Sequence, residues 1–134
     1  MEQVMKILTP KWWLTATAVA HATVGTLASI NWSDETAVVM TGFMFLTSIT
    51  MLYAAFFTEG ENQARLTTIV TGPVWVWFAI CTALALTTVS GGVVYEFQTI
   101  QTAVPMTLWG LTALSGVLHG NWGELFSSDD SSSE

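Results

Sequence analysis

Charged residues are scarce in this 134-residue chain, where they make up only 10% of the composition. Four long stretches contain no Asp, Glu, Lys or Arg at all: 12–30, 37–57, 67–90 and 99–119. Soluble domains carry about one-quarter charged residues, so an ordinary soluble domain is excluded. The segments that connect the four stretches are too short to fold as domains of their own.

Basic residues and cysteine are also nearly missing. The chain has three Lys and Arg residues and ten Asp and Glu residues. This composition argues against nucleic-acid binding, because phosphate neutralisation needs a basic surface. The single cysteine, Cys81, excludes an internal disulfide, a dithiol redox pair and a thiolate zinc site. We predict that Cys81 is a small buried packing residue in the third apolar stretch.

Recognisable catalytic motifs are absent as well. The chain has no Gly-rich phosphate loop, no HExxH metal motif and no Ser-His-Asp set within reach of one another. The sequence requires no metal and no cofactor. We therefore favour a protein that is not an enzyme.

What remains is hydrophobic: 51% of the residues, concentrated in the four stretches. Each stretch has about 19 to 24 residues, enough at about 1.5 Å per residue to cross the roughly 30 Å hydrocarbon core of a bilayer. The pattern predicts an all-α, polytopic membrane protein, an antiparallel four-helix transmembrane bundle over residues 12–119. Residues 1–11 form an N-terminal segment, and residues 120–134 an acidic tail predicted to be disordered. A cleaved signal peptide is the competing interpretation of the N-terminus.

The basic residues suggest an orientation. Lys6 and Lys11 precede the first stretch, and Arg65 lies between the second and third. With four spans all three fall on one side, so the positive-inside rule predicts that both termini face the cytoplasm, in a cell membrane. Glu61 and Arg65 are spaced to form an ion pair across one helical turn.

Small residues recur at helical spacing in the first and fourth stretches. Helices in lipid associate where Gly, Ala, Ser and Thr let their backbones approach closely, so these residues predict a packing seam. The seam comprises Ala18, Ala22, Gly25 and Ser29 in the first stretch and Thr112, Gly116 and Gly120 in the fourth.

Two histidines are the candidate reactive groups. His21 is an ionisable residue near the middle of a span, which makes it a candidate cofactor or proton site, although a hydrogen bond to a Thr or Ser of another helix would explain it structurally. His119 ends the fourth stretch. The two lie at different depths, so one haem held by both within one chain is improbable, whereas His21 of two copies could share a site.

Two further clusters are weaker candidates. Glu96 lies with Tyr95, Gln98 and Gln101 at the predicted outer rim, where a polar site or an ordinary wet loop would explain them. Aromatic residues of the second and third stretches are predicted to crowd the cytoplasmic half, as a quinone or lipid groove or as interfacial packing. These residues are Tyr53, Trp75, Trp77 and Phe78.

Three functions follow as hypotheses. The first is a non-catalytic accessory or structural subunit, with the lipid bilayer and a homo-oligomer or larger membrane complex as partners. The second is an electron-transfer or ligand-binding module that holds haem, quinone or pigment at His21. The third is a small oligomeric transporter or channel lined by hydroxyl residues, Thr17, Thr47, Ser48 and Thr50.

Overall fold

The computed structural model describes residues 2–90, 93–97 and 99–127, and within these ranges the chain is predominantly helical. A short helix α1 (Glu2–Ile7) is followed by α2 (Pro10–Ala20), which continues as a π-helical turn (His21–Thr26) and a 3-10 turn (Leu27–Ser29). Then come α3 (Glu35–Phe57), α4 (Gly60–Ala83), a β-hairpin, α5 (Ile100–His119) and α6 (Trp122–Ser127). Local chemistry determines where two of the helices begin. Pro10 is the first residue of α2, and the Asp34 carboxylate caps α3 by accepting from the backbone N–H groups of Thr36 and Ala37.

Helices α2 to α5 pack side by side, each running antiparallel to its neighbour in sequence. The Lys11 ammonium at the start of α2 lies 5.5 Å from the ring centroid of Phe56 at the end of α3. Arg65 near the start of α4 donates to the carbonyl of Gly120 at the end of α5. α5 also packs on α2, so the four helices close a ring in the order α2, α3, α4, α5. Lys11 and Arg65 consequently lie at the same end of the bundle.

The helix in the region of the predicted third span, 67–90, has different bounds at both ends. The helix begins at Gly60 and ends at Ala83, and Thr87–Ser90 forms strand β1, paired antiparallel with β2 (Val93–Glu96). Ala85 has a positive φ of 52°, which turns the chain out of the helix. The sequence does contain a local indication of this hairpin: β-branched residues lie on either side of the Gly91-Gly92 pair, a pattern that favours a hairpin over a helix.

The interior of the bundle contains mainly small and hydroxyl-bearing side chains together with a few large ones such as Trp109, whereas most large apolar side chains point outward. Leu14 and Met51 are the largest apolar residues with no exposed surface, and alanines fill much of the remaining core. Cys81 is buried, as predicted. Hydroxyl and amide groups occupy the rest of the interior: Thr17, Thr26, Ser48, Gln63, Thr67, Thr71, Thr102, Thr112 and Ser115.

Two helices, α3 and α4, are long and apolar enough to cross a membrane; in the described ranges the count is therefore two and not the predicted four. Only 17% of the most apolar window of either helix is buried, which is far less than the core helix of a soluble protein would bury. The first predicted span lacks one long α-helix because α2 gives way to the π-helical turn at His21.

The segment predicted as a disordered tail begins with ordered structure. Asn121 has a positive φ of 42° and reverses the chain after α5, and α6 follows at Trp122–Ser127. Residues 128–134 lie outside the described part of the chain, so the prediction of disorder there stays a prediction.

Candidate functional site: the His21 turn

The helix that carries His21 changes its winding at this residue. α-Helix gives way to a π-helical turn over His21–Thr26, and Thr26 departs from helical geometry with φ −119° and ψ −71°. The buried Thr26 hydroxyl donates to the carbonyls of His21 and Ala22, at 2.7 and 2.6 Å. A side-chain hydroxyl that satisfies carbonyls in this way supports the wider turn, and π-turns are frequent at functional sites. Sequence reasoning missed this turn because none of its residues is a helix breaker as strong as proline.

The His21 imidazole is held by residues of two other helices. Its Nδ1 atom lies 2.9 Å from the hydroxyl oxygen of Ser48 on α3. Its ring meets the ring of Trp109 on α5 edge to face, with centroids 5.2 Å apart and an interplanar angle of 89°. Ser48 and Trp109 are both almost fully buried, so the imidazole is fixed against rigid neighbours.

Because Gly25 has no side chain, it leaves room for the His21 imidazole on the same helix. A Cβ atom at Gly25 would lie 3.3 Å from Cδ2 of His21, which is tighter than an ordinary van der Waals contact. The ring therefore presents Nδ1 to Ser48 and its Cδ2 edge to Gly25. Because Ser48 engages Nδ1, Nε2 is the ring nitrogen that a ligand or a proton would use.

His119 does not share the site with His21. Its Nδ1 donates to the carbonyl of Ser115, 2.8 Å away on the same helix. Trp109, which touches His21, is also on α5, and the ten residues from there to His119 span about 15 Å of helix. A single iron with both histidines as axial ligands is therefore not supported within one chain. Among the described residues, no group of three or more His, Cys, Asp or Glu could hold a metal ion.

Only part of the predicted packing seam makes helix contacts within the chain. Thr112 and Gly116 in α5 and Gly120 directly after it are buried, and a Cβ atom at Gly116 would lie 2.5 Å from the Ala64 carbonyl oxygen of α4. These residues serve contacts within the chain. In the first helix Ala18 is fully buried, whereas the seam residues beyond it that are described are less buried. Of those, Ala22 is half-buried and Gly25 exposed, and the Ser29 side chain lies outside the described residues.

The predicted aromatic cluster is not assembled. Tyr53 is exposed near the end of α3 and stacks on Phe57, with ring centroids 5.4 Å apart. Phe78 instead meets Phe97 at the opposite end of the bundle, at 6.0 Å. Trp77 is exposed, and Trp75 packs against α5. Because α4 begins at Gly60 and not at the predicted residue 67, Trp75, Trp77 and Phe78 lie in the second half of the helix, away from the end of α3.

The other polar candidates are dispersed too. Glu96 is exposed in β2, while Gln98 and the side chains of Tyr95 and Gln101 fall outside the described residues. Of the proposed pore-lining hydroxyls, two are inside: Thr17 bonds to Thr112 of α5 at 2.6 Å, and Ser48 bonds to His21. Thr47 is half-buried and Thr50 faces outward, so these four hydroxyls do not line one surface.

Gln63 makes a polar contact at the basic end of the bundle that the sequence did not predict. Gln63 is buried and its Nε2 atom donates to the carbonyls of Ala54, Ala55 and Thr58, at 2.7 to 3.0 Å, which caps the end of α3. Its position in a short connection gave no sign of this role.

The predicted ion pair between Glu61 and Arg65 is confirmed at 2.9 Å. Arg65 also donates to the carbonyls of Gly120 and Asn121, and the Asn121 amide donates to Glu61. The start of α4 is thereby tied to the end of α5.

Comparisons with protein-family models, curated proteins and solved structures find no match to this chain.

Proposed function

We propose that this chain is a four-span integral membrane protein that acts as a non-catalytic accessory or structural subunit, joined to copies of itself or to a larger membrane complex. One observation supports the membrane placement: small and hydroxyl side chains fill most of the interior while most large apolar side chains cover the outside. Water-soluble proteins rarely expose such a surface, whereas a bilayer solvates it. The exposed residues include Val39, Phe43, Leu46, Ile69 and Val76.

The first and fourth predicted spans complete the bundle in this proposal. Helical backbone is continuous from Pro10 to Ser29, although its winding changes at His21, and α5 is 20 residues long. Both lie alongside the two candidate spans α3 and α4. Neither carries an acidic residue. With Lys11 and Arg65 at one end of the bundle, the positive-inside rule favours cytoplasmic termini in a cell membrane.

A groove between α4 and α5 is the surface through which we propose that a partner helix packs. It measures about 610 Å³ and is lined mainly by apolar residues: Trp75, Met106, Thr107, Gly110, Leu111, Ala113, Leu114 and Val117. The Trp75 indole leans over Gly110, where an added Cβ would lie 2.6 Å from Nε1. Because the indole covers Gly110, a partner helix would pack on the other side chains of the groove, and van der Waals packing of this kind contributes to helix association in lipid.

The experiment is native mass spectrometry of the protein extracted mildly from its source membrane, for the chain as it is and for two variants. Leu114→Trp places a large ring in the groove, and Leu46→Trp places the same ring on the exposed face of α3, which packs mainly on α2 and α4. We expect an assembly of fixed stoichiometry that Leu114→Trp dissociates and Leu46→Trp leaves intact. A monomer without partner subunits, or equal effects of the two variants, would contradict the proposal.

A second candidate function is favoured by the π-helical turn at His21. In this proposal the imidazole, positioned by Ser48 through Nδ1, uses Nε2 to bind haem, quinone or pigment, or to carry a proton. Gently extracted protein should then contain a constant non-protein mass or a visible absorption band. His21→Ala should abolish it and His119→Ala should preserve it. A colourless preparation whose mass equals that of the polypeptide rules out a bound group of this kind.

A further inference from the structure

Lys11 differs from the other two basic residues in its surroundings. Lys6 pairs with Glu2 at 2.9 Å, and Arg65 pairs with Glu61 at the same distance. No carboxylate in residues 2–90, 93–97 or 99–127 forms an ion pair with Lys11. Its ammonium lies instead 5.5 Å from the ring centroid of Phe56.

Phe56 belongs to a group of exposed aromatic residues near the end of α3. Tyr53, Phe56 and Phe57 share one face of the last turns of α3 because they are three and four residues apart. More than half of each side chain is exposed, and the rings of Tyr53 and Phe57 are nearly parallel, at 13°. We name these three residues and Lys11 the Lys11 patch.

We propose that the Lys11 patch binds one anionic phospholipid, with the lipid phosphate at the Lys11 ammonium and the acyl chains against the aromatic face of α3. The proposal rests on the membrane placement proposed above. That placement puts the patch at the cytoplasmic interface, where aromatic and basic side chains meet headgroups.

Charge complementarity selects this occupant. An ammonium has three donor hydrogens, and a contact with a ring face positions the charge without supplying an oxygen acceptor. A phosphate supplies both the acceptor and the opposite charge. The chain as a whole has a net charge of −7 and repels anionic lipids, so a preference for them must arise locally.

The test measures which lipid stays bound. Protein is reconstituted into vesicles of equal parts phosphatidylglycerol and phosphatidylcholine, re-extracted, and examined by native mass spectrometry for the ratio of the two bound lipids. We expect one phosphatidylglycerol to be retained preferentially. Lys11→Gln should lower the ratio of bound phosphatidylglycerol to bound phosphatidylcholine about fivefold, because one basic residue near an anionic lipid contributes about 1 kcal/mol.

Two control variants separate a site from a general charge effect. Lys11→Arg keeps the cation and should keep the preference, and Lys6→Gln should leave it unchanged because Lys6 is already paired with Glu2. An unaltered ratio in Lys11→Gln, or an equal loss in Lys6→Gln, overturns the proposal. Alkaline extraction of the same vesicles tests membrane placement separately. Protein released by alkali refutes the placement, whereas retained protein without lipid preference refutes only the lipid site.

Discussion

Gly116 of α5 lies against the backbone of α4, and replacing this residue with alanine tests the packing of the two helices. The added Cβ would lie 2.5 Å from the carbonyl oxygen of Ala64, 2.5 Å from the hydroxyl of Thr68 and 2.8 Å from the Thr68 backbone nitrogen. The hydroxyl can rotate away, but the two backbone atoms move only if α4 and α5 separate. Overpacking of this kind costs about 1–3 kcal/mol.

A matched control isolates the steric contribution. Gly42 lies in α3, and apart from its two chain neighbours and the nearby backbone of its own helix, no atom lies within 4 Å of the position that a new Cβ would take, so alanine there meets open space. Replacing a helical glycine with alanine gains about 1 kcal/mol of helix propensity at either site. We therefore expect Gly42→Ala to be neutral or stabilising, and Gly116→Ala to be destabilising by up to about 2 kcal/mol once the propensity gain offsets part of the clash.

Reversible unfolding in mixed detergent micelles, followed by tryptophan fluorescence, measures the two free energies of unfolding. The seven tryptophans of the chain provide the signal. If Gly116→Ala proves as stable as Gly42→Ala, the backbones of α4 and α5 do not approach as closely as described, and the assignment of Gly116 to a contact within the chain is wrong.

The remaining predictions concern buried polar contacts in the same unfolding assay. Gln63→Leu should lose about 1–3 kcal/mol because the carbonyls of Ala55 and Thr58 lose the Gln63 donor, while that of Ala54 keeps only the Thr58 hydroxyl. The exposed neighbour change Asn62→Ala should have little effect, and equal losses would contradict the capping role. Thr17→Val and Thr112→Val, singly and together, form a double-mutant cycle across the 2.6 Å hydroxyl contact. We expect a coupling of about 0.6 kcal/mol, as for hydrogen bonds between membrane helices, and additive losses would show that the contact contributes nothing.

Both local features and contacts between distant residues limited what the sequence could predict. The hairpin at Thr87–Ser90 had a local signal in its β-branched residues, which hydropathy outweighed because the same residues are apolar. The contact of His21 with Ser48 was among the stated alternatives as a bond to a Thr or Ser of another helix, but the residue itself could not be named. The π-helical turn had no local signal that periodicity could detect.

The sequence alone determined the predominance of helix, the apolar character of α3 and α4, and the ion pair of Glu61 with Arg65, because hydropathy, length and helical spacing are local properties. Tertiary structure decided which small residues are buried. Gly116 and Gly25 look equivalent along the chain, yet one lies under the backbone of α4 and the other is exposed beside His21. The physical reason is that a seam specifies only the capacity for close approach, and the arrangement of the other helices determines what approaches it.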